Sequence, residues 1–111
     1  MELHTQAQRA ALLSFRAGTN RNRLLFRCWH RGTQESDIIL GCFADIHITH
    51  LTEGQLEQLE HLLGSSDADL FEWILGDKAV PDEQDCEVLQ LLRTFWAHPG
   101  VRRLAAFAGS L

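Results

Sequence analysis

The sequence predicts a small all-α protein, a five-helix bundle that forms a single domain. Three observations lead to this prediction. Apolar residues recur with helical spacing in one segment after another, whereas the strict alternation of a half-buried strand is absent. Strand-favouring residues are scarce, since the chain has no tyrosine and only three valines. A length of 111 residues, 45% of them hydrophobic and 23% charged, suits one globular domain.

The first helical patterns lie in the basic N-terminal region. Residues 5–17 predict a short helix, and we expect the sequence Gly18-Thr19-Asn20 to break it. Residues 22–30 predict the first helix of the bundle, with apolar side chains at i, i+4 spacing on one face and arginines on the other. Gly32 follows as a predicted left-handed cap.

The second helix starts after Thr33, whose hydroxyl can accept a hydrogen bond from a free backbone N–H of the first turn. Glu35 and Asp37 lie in that turn, where the positive end of the helix dipole favours carboxylates. Residues 47–50 are the expected connector to the next helix. The predicted apolar stripe of the second helix consists of Ile38, Ile39, Cys42, Phe43 and Ile46.

The third helix has a complete start signal. Thr52 and Gln55 fit a capping box, and Leu51 and Leu56 fit the hydrophobic staple that often accompanies one. Leucines continue at helical spacing as far as Gly64, where we expect the helix to end.

The fourth and fifth helices are bounded by residues that commonly start or end helices. Ser66 is a predicted N-cap and Gly76 a predicted C-terminal stop. The fifth helix is predicted over residues 82–98 and ends at Pro99-Gly100. Residues 101–111 have a weak helical pattern.

These elements divide the chain into three parts. Residues 1–20 are an expected N-terminal extension, residues 21–98 the five-helix domain, and residues 99–111 a C-terminal tail. We expect the free protein to be a monomer.

The net charge of −5 is unevenly distributed along the chain. Residues 1–31 carry six arginines and one glutamate, residues 32–92 carry 14 acids and one lysine, and residues 93–111 carry three arginines. An acidic body lacks the continuous basic face that nucleic acid requires, and it suits a basic protein surface instead. No apolar run is long enough to span a bilayer, so membrane insertion is not expected.

The cysteines indicate a reducing compartment. Cys28, Cys42 and Cys86 are odd in number and lack C-x-x-C spacing, which argues against a disulfide framework and against zinc. No secretory signal is evident. Residues 4–23 are rich in arginine, as mitochondrial transit peptides are, but they are too few to serve also as the start of the fold. We therefore expect the bacterial cytoplasm rather than the mitochondrial matrix.

Enzyme chemistry has little support in the sequence. His47, His50 and His61 do not have the spacing of a metal site, which needs three or four convergent ligands. No serine lies in a G-x-S-x-G setting, and no glycine-rich loop opens a helix after a strand. We expect no catalytic residue, no metal and no permanently bound cofactor.

The segment from Arg27 to Asp37 concentrates hydrogen-bonding side chains at one corner of the predicted bundle. Two interpretations of it remain open on the residues alone. Arg31, Gly32 and Glu35 are what a tight helix–loop–helix turn uses for dipole and backbone reasons. The same residues also suit a binding surface. Arg31 offers a planar fork of hydrogen-bond donors, Gly32 allows a partner's backbone to come close, and Glu35 offers a hydrogen-bond acceptor.

The residues Arg31-Gly32-Thr33-Gln34-Glu35 match an RGxxE motif. With the helix patterns around them, they make the chain resemble the succinate dehydrogenase assembly factor 2 family, also called the flavinator or SdhE-like family. The resemblance covers about residues 21–97. It extends to the blocks Arg23 to Arg27, Trp29-His30, Glu35 to Phe43, Asp67 to Leu70, Trp73-Ile74 and Gly76.

The resemblance implies a five-helix fold and a non-catalytic function. Family members bind the flavoprotein subunit of succinate dehydrogenase, and in bacteria of fumarate reductase. They promote covalent attachment of FAD, through its 8α-methyl carbon, to a histidine of that subunit. The FAD would belong to the partner. Arg31, Gly32 and Glu35 would form the contact that reaches the flavin region.

Three neighbours complete the predicted contact surface, namely Arg27, His30 and Asp37. The resemblance also leaves an alternative, because some family members have been described as antitoxin-like partners of a small membrane toxin. A regulatory protein-interaction module is therefore the second hypothesis, and a metal-binding protein is the third.

Overall fold

Five α-helices and one short 3-10 helix form the fold in a computed structural model that describes residues 6–76 and 78–103. No strand occurs among those residues, so the prediction of an all-α fold is confirmed. In chain order the elements are α1 (Gln6–Trp29), α2 (Gln34–His47), the 3-10 helix (Ile48–His50), α3 (Glu53–Leu63), α4 (Asp67–Leu75) and α5 (Glu87–Ala97).

One continuous core forms where the apolar faces of the helices meet. Helix α1 packs against α2 and α3, while α5 packs against α3, α4 and α2. Phe43 of α2 and Leu24 of α1 are fully buried. Trp96 is also buried and donates from its indole Nε1 to the carbonyl of Ile39 at 3.1 Å, which ties α5 to α2.

The predicted break at Gly18-Thr19-Asn20 is wrong, because α1 runs through it without interruption. The domain boundary expected after residue 20 therefore falls inside α1. A glycine inside a helix costs only about 1 kcal/mol relative to alanine, and the segment has no proline to remove a helix hydrogen bond. Asn20 accepts a hydrogen bond from Arg23 one turn later, at 2.6 Å. The apolar side chains expected on the preceding turns lie outside the described part of the chain.

The predicted helix starts are confirmed at α2, α3 and α4. Thr33 and Ser66 each accept a hydrogen bond from the backbone N–H three residues later. Thr52 and Gln55 form both bonds of the capping box, at 2.9 and 3.1 Å. Gly76 ends α4 with a φ of 82°, the left-handed conformation that glycine adopts without strain.

Helix α5 begins five residues later than predicted. Pro81 accepts backbone hydrogen bonds from Gln84 and Asp85, and the resulting turn occupies the segment expected to be helical. Helix α5 ends at Ala97, and residues 99–103 form a further helical turn that starts at Pro99. The rest of the predicted tail helix, residues 104–111, lies outside the described residues. No described helix combines the length and the apolarity needed to cross a membrane.

Candidate functional site

The RGxxE motif forms the corner between α1 and α2. Helix α1 ends at Trp29, and the chain turns through residues 30–33 before α2 begins. Gly32 has a φ of 115°, a backbone conformation that L side chains rarely adopt, so the turn requires glycine. Thr33 closes the corner through its bond to the backbone of Ser36, which is buried.

Arg31 points inward and joins three segments of the chain. Its guanidinium Nε donates to Asp67 Oδ1 at 2.9 Å, and Nη2 lies 2.8 Å from the same oxygen. Nη2 also donates to the carbonyl of Ser65 at 2.8 Å, and Nη1 donates to the carbonyl of Leu63. The side chain is only 13% exposed. Arg31 therefore caps the end of α3 and holds the start of α4 against the corner.

Asp37 fixes the corner from the other side. Its Oδ1 accepts a hydrogen bond from the backbone N–H of Arg31 at 2.6 Å, across the turn. Asp37 also lies in the first turn of α2, where the helix dipole favours its charge. Arg31 and Asp37 thus set the shape of the corner.

Gly32 and Glu35 are the motif residues that face solvent. A Cβ placed on Gly32 would meet no atom within 4 Å, and both residues are exposed. Among the described residues, Glu35 has no hydrogen-bond or ion-pair partner. Its carboxylate is therefore available to a partner protein, and the backbone at Gly32 is open to close approach.

His30 lies on the same exposed corner and stacks on Phe26 one turn earlier, with ring centroids 3.9 Å apart. Its Nδ1 donates to the carbonyl of Phe26 at 2.7 Å, which leaves Nε2 as an acceptor when the ring is neutral. Phe26 is 62% exposed. The pair thus presents an aromatic surface beside the motif.

Arg27 is directed towards α3. Its Nη1 lies 3.8 Å from Glu60 Oε1, the carboxylate oxygen that also accepts from Arg23 at 2.8 Å. Its contact with a partner stays a prediction.

A groove of about 670 Å³ runs between the end of α1 and the start of α2. Its walls include Trp29 from α1, residues 30, 32 and 33 from the corner, and Ile38 and Cys42 from α2. Ile38 and Cys42, predicted for the apolar stripe of α2, are partly buried and pack against the core while they also line the groove. Ile46, predicted for the same stripe, is instead 55% exposed.

Trp29 lies directly on Gly41 of α2. A Cβ at Gly41 would come within 2.2–2.5 Å of the indole ring atoms, so the close crossing of α1 and α2 requires glycine there. Trp29 Nε1 also donates to Asp45 Oδ1 at 3.1 Å. This contact sets the width of the groove, and no local sequence pattern indicates it.

The thiols near the groove favour the protonated form. Burial raises the pKa of Cys28 to about 12, although Arg31 and Arg27 oppose the change. Burial, together with the nearby charge of Asp45, also raises the pKa of Cys42. Since the thiolate is the reactive species, neither position favours a nucleophile.

The described residues hold no group of three or more histidine, cysteine, aspartate or glutamate side chains that could bind a metal ion. His47, one of the three histidines on which the third-ranked metal hypothesis rests, stacks on Phe43 and meets Phe95 edge to face. Its ring is part of an aromatic cluster at the end of α2.

Comparison with known proteins gives a consistent result. Residues 22–96 match the family model described as "Flavinator of succinate dehydrogenase". Succinate dehydrogenase assembly factor 2, mitochondrial, from Dictyostelium discoideum is 44% identical over 73 residues, which are 66% of this chain and 52% of that protein. The FAD assembly factor SdhE of Acetobacter pasteurianus is 36% identical over 70 residues, 63% of this chain and 64% of that protein.

A third relative is succinate dehydrogenase assembly factor 2-A, mitochondrial, from Drosophila yakuba, 34% identical over 77 residues, which are 68% of this chain and 48% of that protein. The matched segment thus spans between about half and just under two thirds of the length of these relatives. The family match includes the motif corner and all of α2 to α4. The chain belongs to the family of flavinators of succinate dehydrogenase.

Proposed function

We propose that the protein is a non-catalytic assembly factor that binds the flavoprotein subunit of succinate dehydrogenase and promotes covalent attachment of FAD to that subunit. One observation carries the proposal. The segment that matches the flavinator family contains an intact RGxxE corner, in which Gly32 and Glu35 face solvent beside an open groove. The flavoprotein subunit of fumarate reductase is a second candidate partner, because it would undergo the same covalent attachment of FAD.

The internal contacts support a division of labour within the corner. Arg31 and Asp37 hold its shape, so that Gly32 admits close approach and Glu35 accepts hydrogen bonds from the partner. The flavoprotein carries both the FAD and the histidine that reacts with it. Binding would raise the population of a flavoprotein conformation in which these two groups are close enough to react. In this proposal the protein is a helper and not an enzyme.

A flavinylation assay tests the proposal. Purified flavoprotein subunit without covalent flavin is incubated with FAD, with and without this protein, and in-gel fluorescence of the denatured subunit measures the attached flavin. We expect the wild-type protein to increase fluorescence, and Gly32→Arg and Glu35→Ala to reduce the increase strongly. Glu57→Ala, which removes an exposed carboxylate from α3, is the matched control and should retain activity.

The results of this assay test the proposed function and the proposed contact residues separately. No increase with the wild-type protein would contradict the function, whereas full activity of both corner variants would contradict the site. Circular dichroism decides whether the variants remain folded. Gly32→Arg should remain folded because its side chain enters open space, although the φ of 115° costs about 1–3 kcal/mol for a non-glycine residue.

We also propose a bacterial cytoplasmic location. The three cysteines are free thiols, as expected in a reducing compartment, and the relatives include a bacterial protein as well as proteins named as mitochondrial. Affinity capture from a native lysate of the source organism tests location and partner together. A large flavoprotein recovered from the soluble fraction supports the proposal, and a small membrane protein as the main partner would favour the antitoxin-like module instead.

A further inference from the structure

One side of α2 lies at the edge of the core, is only partly covered by it, and has an unusual composition. Glu35, Ile38, Cys42, Asp45 and Ile46 fall within an arc of about 100° on a helix that turns 100° per residue. We call these five residues the outer α2 face. The buried residues of α2 lie on the opposite side, and they include Leu40, Phe43 and Ala44.

Three of the five residues on the outer α2 face are apolar. The solvent side of a surface helix is normally polar, and a helix that is apolar on both sides is normally covered on both. Ile46 is nevertheless 55% exposed, and Ile38 and Cys42 are partly exposed. The outer α2 face therefore resembles a surface that a partner covers.

This face is continuous with the motif corner. Ile38 and Cys42 belong to the groove that opens beside Gly32, and Ile46 follows one turn beyond Cys42. The 14 residues of α2 extend about 21 Å. A partner that contacts the corner can therefore reach the whole outer α2 face with one continuous surface.

The charges on this face identify the kind of partner. Helix α2 contains no lysine or arginine, and Glu35 and Asp45 lie on the outer face about 15 Å apart. Four nearby arginines are engaged elsewhere, with the α3 region or the connector before it. They are Arg21, Arg23 and Arg27 of α1 and Arg31 of the corner. A second copy of the chain would bring acids against acids, so charge favours a basic partner.

We infer that the outer α2 face docks a segment of the flavoprotein subunit that places an apolar side chain against Ile38, Cys42 and Ile46. The same segment carries basic residues that meet Glu35 and Asp45. The inference rests on the proposed function and extends the contact from the motif corner along α2.

Binding of purified flavoprotein subunit, measured by biolayer interferometry, tests the inference. Ile46→Gln should weaken binding about tenfold, since it replaces an apolar anchor with an amide. Leu75→Gln is the matched control, because Leu75 is a similarly exposed leucine on α4, and its affinity should equal that of the wild type.

A second variant tests the charge. Asp45→Asn keeps an oxygen that can accept from Trp29 Nε1 but removes the carboxylate, so it should slow association and flatten the dependence of the association rate on salt. Glu57→Gln, which changes an exposed acid on α3, should leave the rate unchanged.

The possible failures are distinguishable. Wild-type affinity in both Ile46→Gln and Asp45→Asn would overturn the inference and leave the proposed function intact. Absence of binding by the wild-type protein would overturn both. A wild-type dimer in sedimentation that Ile46→Gln dissociates would assign the face to a second copy, and it would likewise overturn the inference.

Discussion

At the scale of single residues, the arginine of the motif has a different role from its neighbours. Arg31 directs its guanidinium at the end of α3 and the start of α4, whereas Gly32 and Glu35 face solvent. A planar guanidinium can serve several acceptors at fixed angles, which an ammonium group cannot. The motif therefore combines a structural residue with two exposed residues, and substitutions at these positions should have different effects.

Replacing Arg31 tests its structural role. Arg31→Ala leaves the carbonyls of Leu63 and Ser65 and the carboxylate of Asp67 without their donor, so we expect the free energy of unfolding to fall by about 2–3 kcal/mol. Arg31→Lys should lose about half as much, because one ammonium cannot reach all three acceptors.

Urea denaturation measures these changes, and Arg23→Ala is the control. Arg23 pairs with Glu60 at the surface, where its side chain is 49% exposed, so its loss should cost at most about 1 kcal/mol. Equal losses for Arg31→Ala and Arg23→Ala would show that Arg31 does not hold the corner.

At the scale of helices, the crossing of α1 and α2 sets the geometry of the site. The indole of Trp29 occupies the space that any side chain at position 41 would need. The same crossing brings His30 and Cys42 into the lining of one groove. A single small residue in α2 thereby determines how close the two helices approach.

Enlarging that residue should destabilise the protein. Gly41→Ala forces the Trp29 ring and the two helices apart, and we expect a loss of about 1–3 kcal/mol in the free energy of unfolding. In a Trp29→Leu background the same change should cost clearly less. Thermal unfolding of the four proteins of this double-mutant cycle gives the coupling, and a coupling near zero would argue against the contact.

Because α1 is continuous through Gly18, a substitution at this glycine should stabilise the protein, whereas the one at Gly41 should destabilise it. Gly18 lies inside the helix, and a Cβ there would meet no atom within 4 Å. Gly18→Ala should therefore raise the free energy of unfolding by about 0.5–1 kcal/mol. Chemical denaturation checks this value, and a destabilised variant would favour a break in the helix at that position.

At the scale of the whole molecule, the distribution of charge over the surface differs from the distribution of charged residues along the sequence. The N-terminal part of the sequence is basic, but Arg21, Arg23 and Arg27 of α1 bind carbonyls of the connector before α3 or a carboxylate of α3. Arg21, for example, donates to the carbonyls of Ile48 and Leu51. The surface offered by α2 is consequently acidic, which agrees with a basic partner.

Protonation of His47 should make the stability of the whole fold depend on pH. Burial, with a smaller contribution from His50, lowers the pKa of His47 from its ordinary value of 6.5. The unfolded chain then binds the proton more tightly than the folded protein. The free energy of unfolding should be highest above pH 6.5 and should fall as the pH drops from 6.5 towards the lowered pKa.

Urea denaturation at several pH values between about 7.5 and 5.5 measures the slope of the free energy of unfolding against pH. His47→Leu should reduce it, whereas replacement of the exposed His61 provides a comparison for the loss of one histidine. A free energy of unfolding that increases over the same fall in pH would contradict the assignment to His47.

The sequence by itself determined the fold class, the starts of three of the five helices (α2, α3 and α4), and the position of the motif. These features depend on local chemistry, such as the hydroxyl caps at Thr52 and Ser66 or the left-handed backbone at Gly76. The motif itself was identified by resemblance to a family. The start of α5 was misplaced because the turn after Pro81 competes locally with a helix.

Only the tertiary structure decided which residues of the corner face inward and which face outward. The acceptors of Arg31 lie more than 30 positions away in the chain, so no local pattern contains them. The contact of Trp29 with Gly41 and the exposure of Ile46 likewise depend on how two helices cross. Local sequence fixes backbone conformation through short-range hydrogen bonds, but the direction of a side chain depends on which distant groups packing brings within reach.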